Sequence, residues 1–149
     1  LSLEDYQEGD FQPLLSLANR QLRIVSVREA RDEDVVEAPG EPSEWLELAM
    51  EDPAWKGFGK MLTFREAGTL EVGYRWNPTG FPEEAFFTTE LSLGAEARVE
   101  GDPAAQRWTF PISTFSKSER GFDQTVQGHS VTLRWPIQAG QGWVRISVP

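Results

Sequence analysis

Ser130-Val131-Thr132-Leu133-Arg134-Trp135-Pro136-Ile137 is the run that decides the fold class. Val131, Leu133, Trp135 and Ile137 fall on one side of an extended chain, and Ser130, Thr132 and Arg134 fall on the other. That two-residue period is the signature of a strand with one face in a core. Upstream, Thr114 to His129 (TFSKSERGFDQTVQGH) is polar and punctuated by Gly121 and Gly128. It reads as a connection whose glycines allow positive φ and whose Ser116 and Ser118 hydroxyls can bond nearby amides. Phe115 and Phe122 give this connection two apolar anchors, so a loose loop is not expected.

Working outward, the same period recurs. Thr69 to Trp76 places Leu70, Val72, Tyr74 and Trp76 on one face, the best amphipathic strand of the chain. Gln21 to Val27 is a strand whose Val25 and Val27 break the alternation begun by Leu22 and Ile24, which predicts an edge or a bulge. Trp45 to Met50, Lys60 to Arg65, Phe86 to Leu93 and a piece of Glu96 to Glu100 read as further strands. Trp108, Phe110 and Ile112 alternate in a short one, and Pro111 points to an edge. Ser130 to Ile137 and Trp143 to Val148 read as a hairpin across Gln138 to Gly142. Arg28 to Ser43 is an acidic excursion with a short strand possible at Val35-Val36, and Asn77-Pro78-Thr79-Gly80 is a turn by composition. Helical periodicity is almost absent. Roughly eight to eleven short strands with turns between them predict an all-β antiparallel β-sandwich, a single domain over residues 1–149.

Composition narrows the function classes. The chain has 149 residues, 24 acidic and 14 basic, for a formal charge of −10. Such a surface repels phosphate backbones and anionic lipid, so neither nucleic acid nor a membrane is an expected partner. With no cysteine, disulfides and thiolate metal sites are excluded and the redox compartment is left open. We take a cytoplasmic location as the expectation. The chain starts at Leu1 rather than Met, and we read it as a piece of a longer protein.

Three stretches carry a resemblance. Ser116-Lys117-Ser118-Glu119-Arg120-Gly121-Phe122 is followed by Gln127-Gly128; Phe86-Phe87-Thr88-Thr89-Glu90-Leu91-Ser92-Leu93 precedes it; Glu8-Gly9-Asp10-Phe11 is a fainter echo near the start. Together and in this order they resemble the C-terminal β-sandwich domain of family-57 glycoside hydrolases, which include α-amylases and 4-α-glucanotransferases. The resemblance implies a galactose-mutarotase-like supersandwich. It also implies that the catalytic nucleophile and acid/base lie in a separate, preceding barrel, so that this chain is a non-catalytic C-terminal fragment needing no cofactor. The partner it implies is the catalytic domain of the same polypeptide, with an α-glucan as the possible ligand.

Catalytic signatures are otherwise missing: no Gly-x-Ser-x-Gly, no His-Glu-x-x-His and no complete phosphate loop. Lys56-Gly57-Phe58-Gly59-Lys60 has only two glycines and reads as a tight turn. His129, the sole histidine, excludes histidine-cluster metal sites and cannot reproduce the glutamate–histidine arrangement of a mutarotase. Glu90 and Glu119 are the carboxylates within the family-like motifs. Glu90 reads as a sheet-face residue paired to a basic partner, and Glu119 as a turn residue accepting backbone amides. Asp32-Glu33-Asp34 and Glu51-Asp52 could offer calcium oxygen ligands but lack loop spacing, so solvated acidic loops are the ordinary reading.

Sugars have apolar faces that stack on aromatic rings. Trp76, Trp108 and Trp135 share parity with Leu, Val, Ile or Phe and read as core. Trp45, Trp55 and Trp143 do not, and they are the candidates for carbohydrate contact, against the plainer reading of a second packed layer or a domain interface. The expected function is an accessory domain of an amylase-like or glucanotransferase-like enzyme. The alternatives are an autonomous carbohydrate-binding module, a small mutarotase-like sugar epimerase, and a structural interaction domain.

Overall fold

The computed structural model describes residues 22–30, 45–53, 55–65, 68–119 and 121–149, with 28–30, 45 and 118 described by backbone alone. Its strands are β1 (Arg23–Ala30), β2 (Trp45–Glu51), β3 (Gly59–Arg65), β4 (Thr69–Arg75), β5 (Phe86–Gly94), β6 (Arg98–Gly101), β7 (Gln106–Ser118), β8 (Gly121–Pro136) and β9 (Gln141–Ser147). All pairings are antiparallel. One sheet has the order β1-β2-β3-β4-β9-β6 and the other β5-β8-β7. The expected all-β antiparallel sandwich is what forms. The short strand suggested at Val35-Val36, the Asp32-Glu33-Asp34 cluster and the Glu8 to Phe11 echo lie outside the described residues.

Alternation builds the core. Val72 and Tyr74 from β4 and Val144 and Ile146 from β9 meet Val131, Leu133 and Trp135 from β8, all buried. Aromatic rings bridge the two sheets: Trp76 stacks on Phe87 at 4.3 Å, and Tyr74 lies 5.4 Å from Phe87 and 6.2 Å from Trp135. Two hydrogen bonds pin these rings in register. The Trp76 indole donates to the Ile137 carbonyl at 2.7 Å, and the Tyr74 and Thr89 hydroxyls are 2.9 Å apart. Large rings with every polar atom matched are the efficient way for a chain of this size to exclude water.

β1 is an edge strand with a register shift between Ile24 and Ser26, as its broken alternation predicts, and it continues beyond Val27 to Ala30. Pro111 also sits on an edge strand, β7. Three other expectations are corrected.

The stretch from Thr114 to His129 is not a connection. It continues β7 and β8 into one long antiparallel ribbon, paired from Gln106↔Arg134 to Ser118↔Gly121. Phe115 and Phe122 are not buried anchors: they are 69% and 77% exposed. The ribbon escapes a search for apolar alternation because its apolar residues are sparse: Phe115 stands in β7 among polar neighbours, and Gln124 separates Phe122 from Val126 along one face of β8. Of its two glycines, Gly121 takes a positive φ of 132° at the tip. Gly128 serves instead because the Leu93 carbonyl of β5 occupies the space of a Cβ.

β8 and β9 are not a hairpin. They belong to different sheets, and Ile137–Ala139 makes a 3-10 turn that carries the chain round the corner. Pro136 at the start of the turn and Gly140 in the left-handed region at its end set the change of direction. Trp108 is buried, yet its register partner is Thr132, on the face of β8 opposite Val131 and Leu133. It lies under the Arg134 guanidinium, 4.9 Å from the ring, and outside the core cluster.

Candidate functional site

The solvent face of the larger sheet is set by register. Directly opposed residues in antiparallel strands share a face. Ala49, Met61, Gly73 and Trp143 therefore form one row across β2, β3, β4 and β9. The next row in one direction is Glu47, Thr63, Glu71, Arg145 and Glu100; in the other it is Glu51, Gly59, Arg75 and Gln141. Small and apolar residues thus make a trough between polar ridges. It deepens at Gly73 into a groove of about 260 Å³ walled by Met61, Trp143, Thr63 and the Glu71–Arg145 pair.

That pair is held firmly. The Arg145 guanidinium donates to Glu71 Oε1 through Nε at 2.9 Å and Nη2 at 2.8 Å, and through Nη1 to Glu100 at 3.1 Å. Arg65 reaches the other Glu71 oxygen at 3.4 Å. The bonds to Glu71 hold the Arg145 guanidinium above its usual range. Arg145 also lies over the Trp143 ring, 5.9 Å from its centroid.

A second groove, about 610 Å³, opens where β2, β3 and β4 meet the loop after β2. Trp55 lines it with Arg23, Asp52, Lys56 and Arg75. Trp55 is half-buried, stacked on Phe58 at 5.1 Å and edge-on to Phe81 at 5.3 Å, so one of its faces already belongs to the core. Asp52 is buried rather than solvated, and its Oδ1 accepts the Trp55 amide. The two grooves share no lining residue, so Trp55 and Trp143 are not brought together. Trp45 lies in β2 opposite Arg65 in the ladder, and its side chain is outside the described residues.

The family-like motif residues line the smaller sheet and its ribbon. Glu90 accepts the Ser130 hydroxyl at 2.8 Å, a correction to the basic partner expected of it. Glu90 pairs with Thr132 on one face of β8, whereas His129 falls on the other, opposite Leu93. Glu90 and His129 are therefore not brought together as a glutamate–histidine pair. Ser116 faces Asp123 across the ribbon, Glu119 is exposed at its tip beside Ser118, and the Gln127 amide donates to Thr114 at 3.0 Å. Gln127 is the extra residue of a bulge, since Ile112 pairs with Gly128 and Ser113 with Val126. Among the described residues no group of three or more carboxylates and histidines could hold a metal ion, and no helix is long and apolar enough to cross a membrane.

Comparison with known proteins shows what the C-terminal part of the chain is similar to. A family model described as "Alpha-amylase/4-alpha-glucanotransferase, C-terminal" matches residues 82–147, from before β5 to the end of β9. The match takes in 66 of the 149 residues, so it is a similarity of the C-terminal part of the chain. The 4-alpha-glucanotransferase of Thermococcus litoralis is 49% identical over 91 residues, 61% of this chain and 13% of that protein. The alpha-amylase of Pyrococcus horikoshii is 32% identical over 84 residues, 54% of this chain and 12% of that protein. The chain therefore spans only a small part of the length of the relatives it matches. The crystal structure of the Thermococcus litoralis 4-alpha-glucanotransferase aligns with all of this chain and 26% of its own, at 22% identity and a TM-score of 0.42. The family match takes in the whole smaller sheet, β6 and β9, and thus Trp143 and Arg145.

Sequence reasoning reached Trp143 but not Gly73, Met61, Glu71 or Arg145. One signal was available. Gly73 interrupts the best amphipathic strand on its polar side, and a glycine inside a strand needs a reason.

Proposed function

We propose that this chain is a non-catalytic accessory domain of an α-amylase-like or 4-α-glucanotransferase-like enzyme of glycoside hydrolase family 57. It packs on the catalytic domain of the same polypeptide and contributes to the α-glucan cleft. The reading rests on the C-terminal family match, and one structural observation carries it further. Val126, Phe115 and Phe122 fall on the same face of the β7–β8 ribbon, through the pairs Ser113↔Val126, Phe115↔Gln124 and Lys117↔Phe122. All three are more than half exposed. The opposite face carries Thr114, Ser116, Asp123 and Thr125. An amphipathic arm with a bare apolar face is a docking element, and a neighbour within the same enzyme fits it without the entropic cost of a second molecule. The bond-breaking carboxylates belong, in this reading, to that neighbour.

Phe115→Ser with Phe122→Ser, introduced into the complete polypeptide, tests this. Activity on amylose and the melting temperature of the whole protein should both fall, while the melting temperature of the 149-residue chain alone stays within about 2 °C, the ordinary range for exposed substitutions. Unchanged activity and melting of the complete polypeptide would reject the docking role.

A further inference from the structure

Gly73 lies in a central strand with β3 on one side and β9 on the other. Its φ is not positive, and among the described residues a Cβ built on it would meet only the Met61 Cβ, at 4.0 Å. Neither its backbone conformation nor packing among the described residues requires glycine there. The same residue type costs strand stability, because it packs nothing and loses the most chain entropy. Gly142, one strand away, makes the contrast: the Trp135 ring occupies the position its Cβ would take. What the bare position at 73 does achieve is to open the floor of the groove between Met61 and Trp143. Glycine inside a strand with no such internal demand marks a place where something else approaches the backbone closely.

We propose that this trough is a subsite for a stretch of α-1,4-linked glucan, with the half-buried Trp143 ring as stacking wall and Gly73 as floor. The assignment to an α-glucan rests on the functional reading above; the location rests on the geometry. The row from Ala49 to Trp143 crosses four neighbouring strands, three spacings of ~4.8 Å, or about 14 Å. That is a track for a chain rather than a pit for one small molecule. The rim discriminates by charge. Arg65 and Arg145 are matched by Glu71 and Glu100 within the network, and Glu47 on the same ridge leaves the carboxylates in excess among the described side chains. A rim without excess positive charge offers no attraction to an anion. It does offer spare donors and acceptors: Arg145 commits three N–H groups to Glu71 and Glu100 out of the five a guanidinium carries. Adjacent hydroxyls on a pyranose match such a fork, while its C–H face lies on the indole.

Calorimetric titration of the 149-residue chain with maltoheptaose, with cellohexaose in parallel, tests the proposal on four proteins: unchanged, Gly73→Val, Trp143→Ala and Trp55→Ala. Gly73→Val fills the floor with a residue of high strand propensity, so this variant should melt no lower than the unchanged chain while its affinity for maltoheptaose falls at least about tenfold. Trp143→Ala should weaken binding similarly, and Trp55→Ala should leave it alone. Maltoheptaose binding lost in Trp55→Ala but kept in the other two would overturn the trough, yet leave an α-glucan role standing. No binding at millimolar ligand would also overturn it, without touching the docking role tested through the ribbon. Binding of cellohexaose in place of maltoheptaose, lost in the Gly73 and Trp143 variants, would overturn the α-glucan assignment and count against the functional reading itself.

Discussion

Trp135 lies flat against the backbone of Gly142, and the indole fills the volume that any side chain at 142 would need. The contact joins the two sheets at the corner where β8 becomes β9, and Trp135 is fully buried there. Gly142→Ala forces either the ring or the strand to move. Overpacking of this kind costs on the order of 1–3 kcal/mol. Gly73→Ala, on the adjoining strand and one register position away, with the Met61 Cβ 4.0 Å from its Cβ, is expected to be neutral or to stabilise by about 0.5–1 kcal/mol. Urea unfolding of both variants, followed by tryptophan fluorescence, separates a glycine kept for packing from one that packing does not need.

Asp102 does for the Trp135 indole what Gly142 does for its face. Its Oδ2 accepts the indole N–H at 3.1 Å, and its Oδ1 accepts the Ala104 amide at 2.9 Å. Asp102→Ala strips a partner from a donor on a buried ring and releases the turn into β7. A loss of about 1–3 kcal/mol is expected. Asp102→Asn retains one carbonyl acceptor and should recover part of it. Equal loss in the two variants would mean that the carboxylate, not the acceptor geometry, matters.

These contacts show what the sequence makes legible. Val131, Leu133 and Trp135, or Val72 and Tyr74, announce a strand and its buried side because one period governs both. The irregularity of β1 could be read for the same reason: Val25 and Val27 fall out of step with Leu22 and Ile24, and the register shifts there. Pairing partners are another matter. Nothing local distinguishes a two-residue turn back into the same sheet from the Ile137–Ala139 corner, so β8 and β9 look like a hairpin until the ladders are seen. The ribbon failed for a different reason. Strand signals are signals of half-burial, and a segment exposed on both faces carries none, although Phe115, Phe122 and Val126 do line up once the strands are paired. The trough was half legible: Trp143 stood out by parity, whereas its partners come from three strands and converge only through register.

Tyr74 and Thr89 tie β4 of one sheet to β5 of the other through a single 2.9 Å hydrogen bond. Tyr74→Phe leaves the Thr89 hydroxyl half-buried with its partner gone. The expected cost is about 0.5–1.5 kcal/mol. Thr89→Val should cost a similar amount, and the double variant less than the sum, a coupling of about 1 kcal/mol in a double-mutant cycle. Strict additivity would show that the hydroxyls are neighbours without being partners.

Lys60 gives a pH dependence with a definite sign. It pairs with Met50 and Tyr74 on the core-facing side of β3, and its ammonium lies 5.9 Å from the Tyr74 ring centroid. Burial holds its pKa below the ordinary lysine value of 10.5. The folded chain therefore binds fewer protons than the unfolded chain in the interval between the lowered value and 10.5, so stability rises with pH there. Below that interval the cost of the buried charge is felt in full. Lys60→Met keeps the aliphatic packing and removes the charge, so it should raise the melting temperature at pH 7 by about 1–3 °C. The gain should shrink as pH rises into that interval. Tyr74 sets the upper limit of a clean experiment: burial raises its pKa above the ordinary 10.0, so ionisation of the unfolded chain begins to destabilise the fold from about pH 10 upward. Melting of both proteins at intervals from pH 7 to about pH 9.5 isolates the lysine. A Lys60→Met gain that grows with pH would contradict a desolvated ammonium at this position.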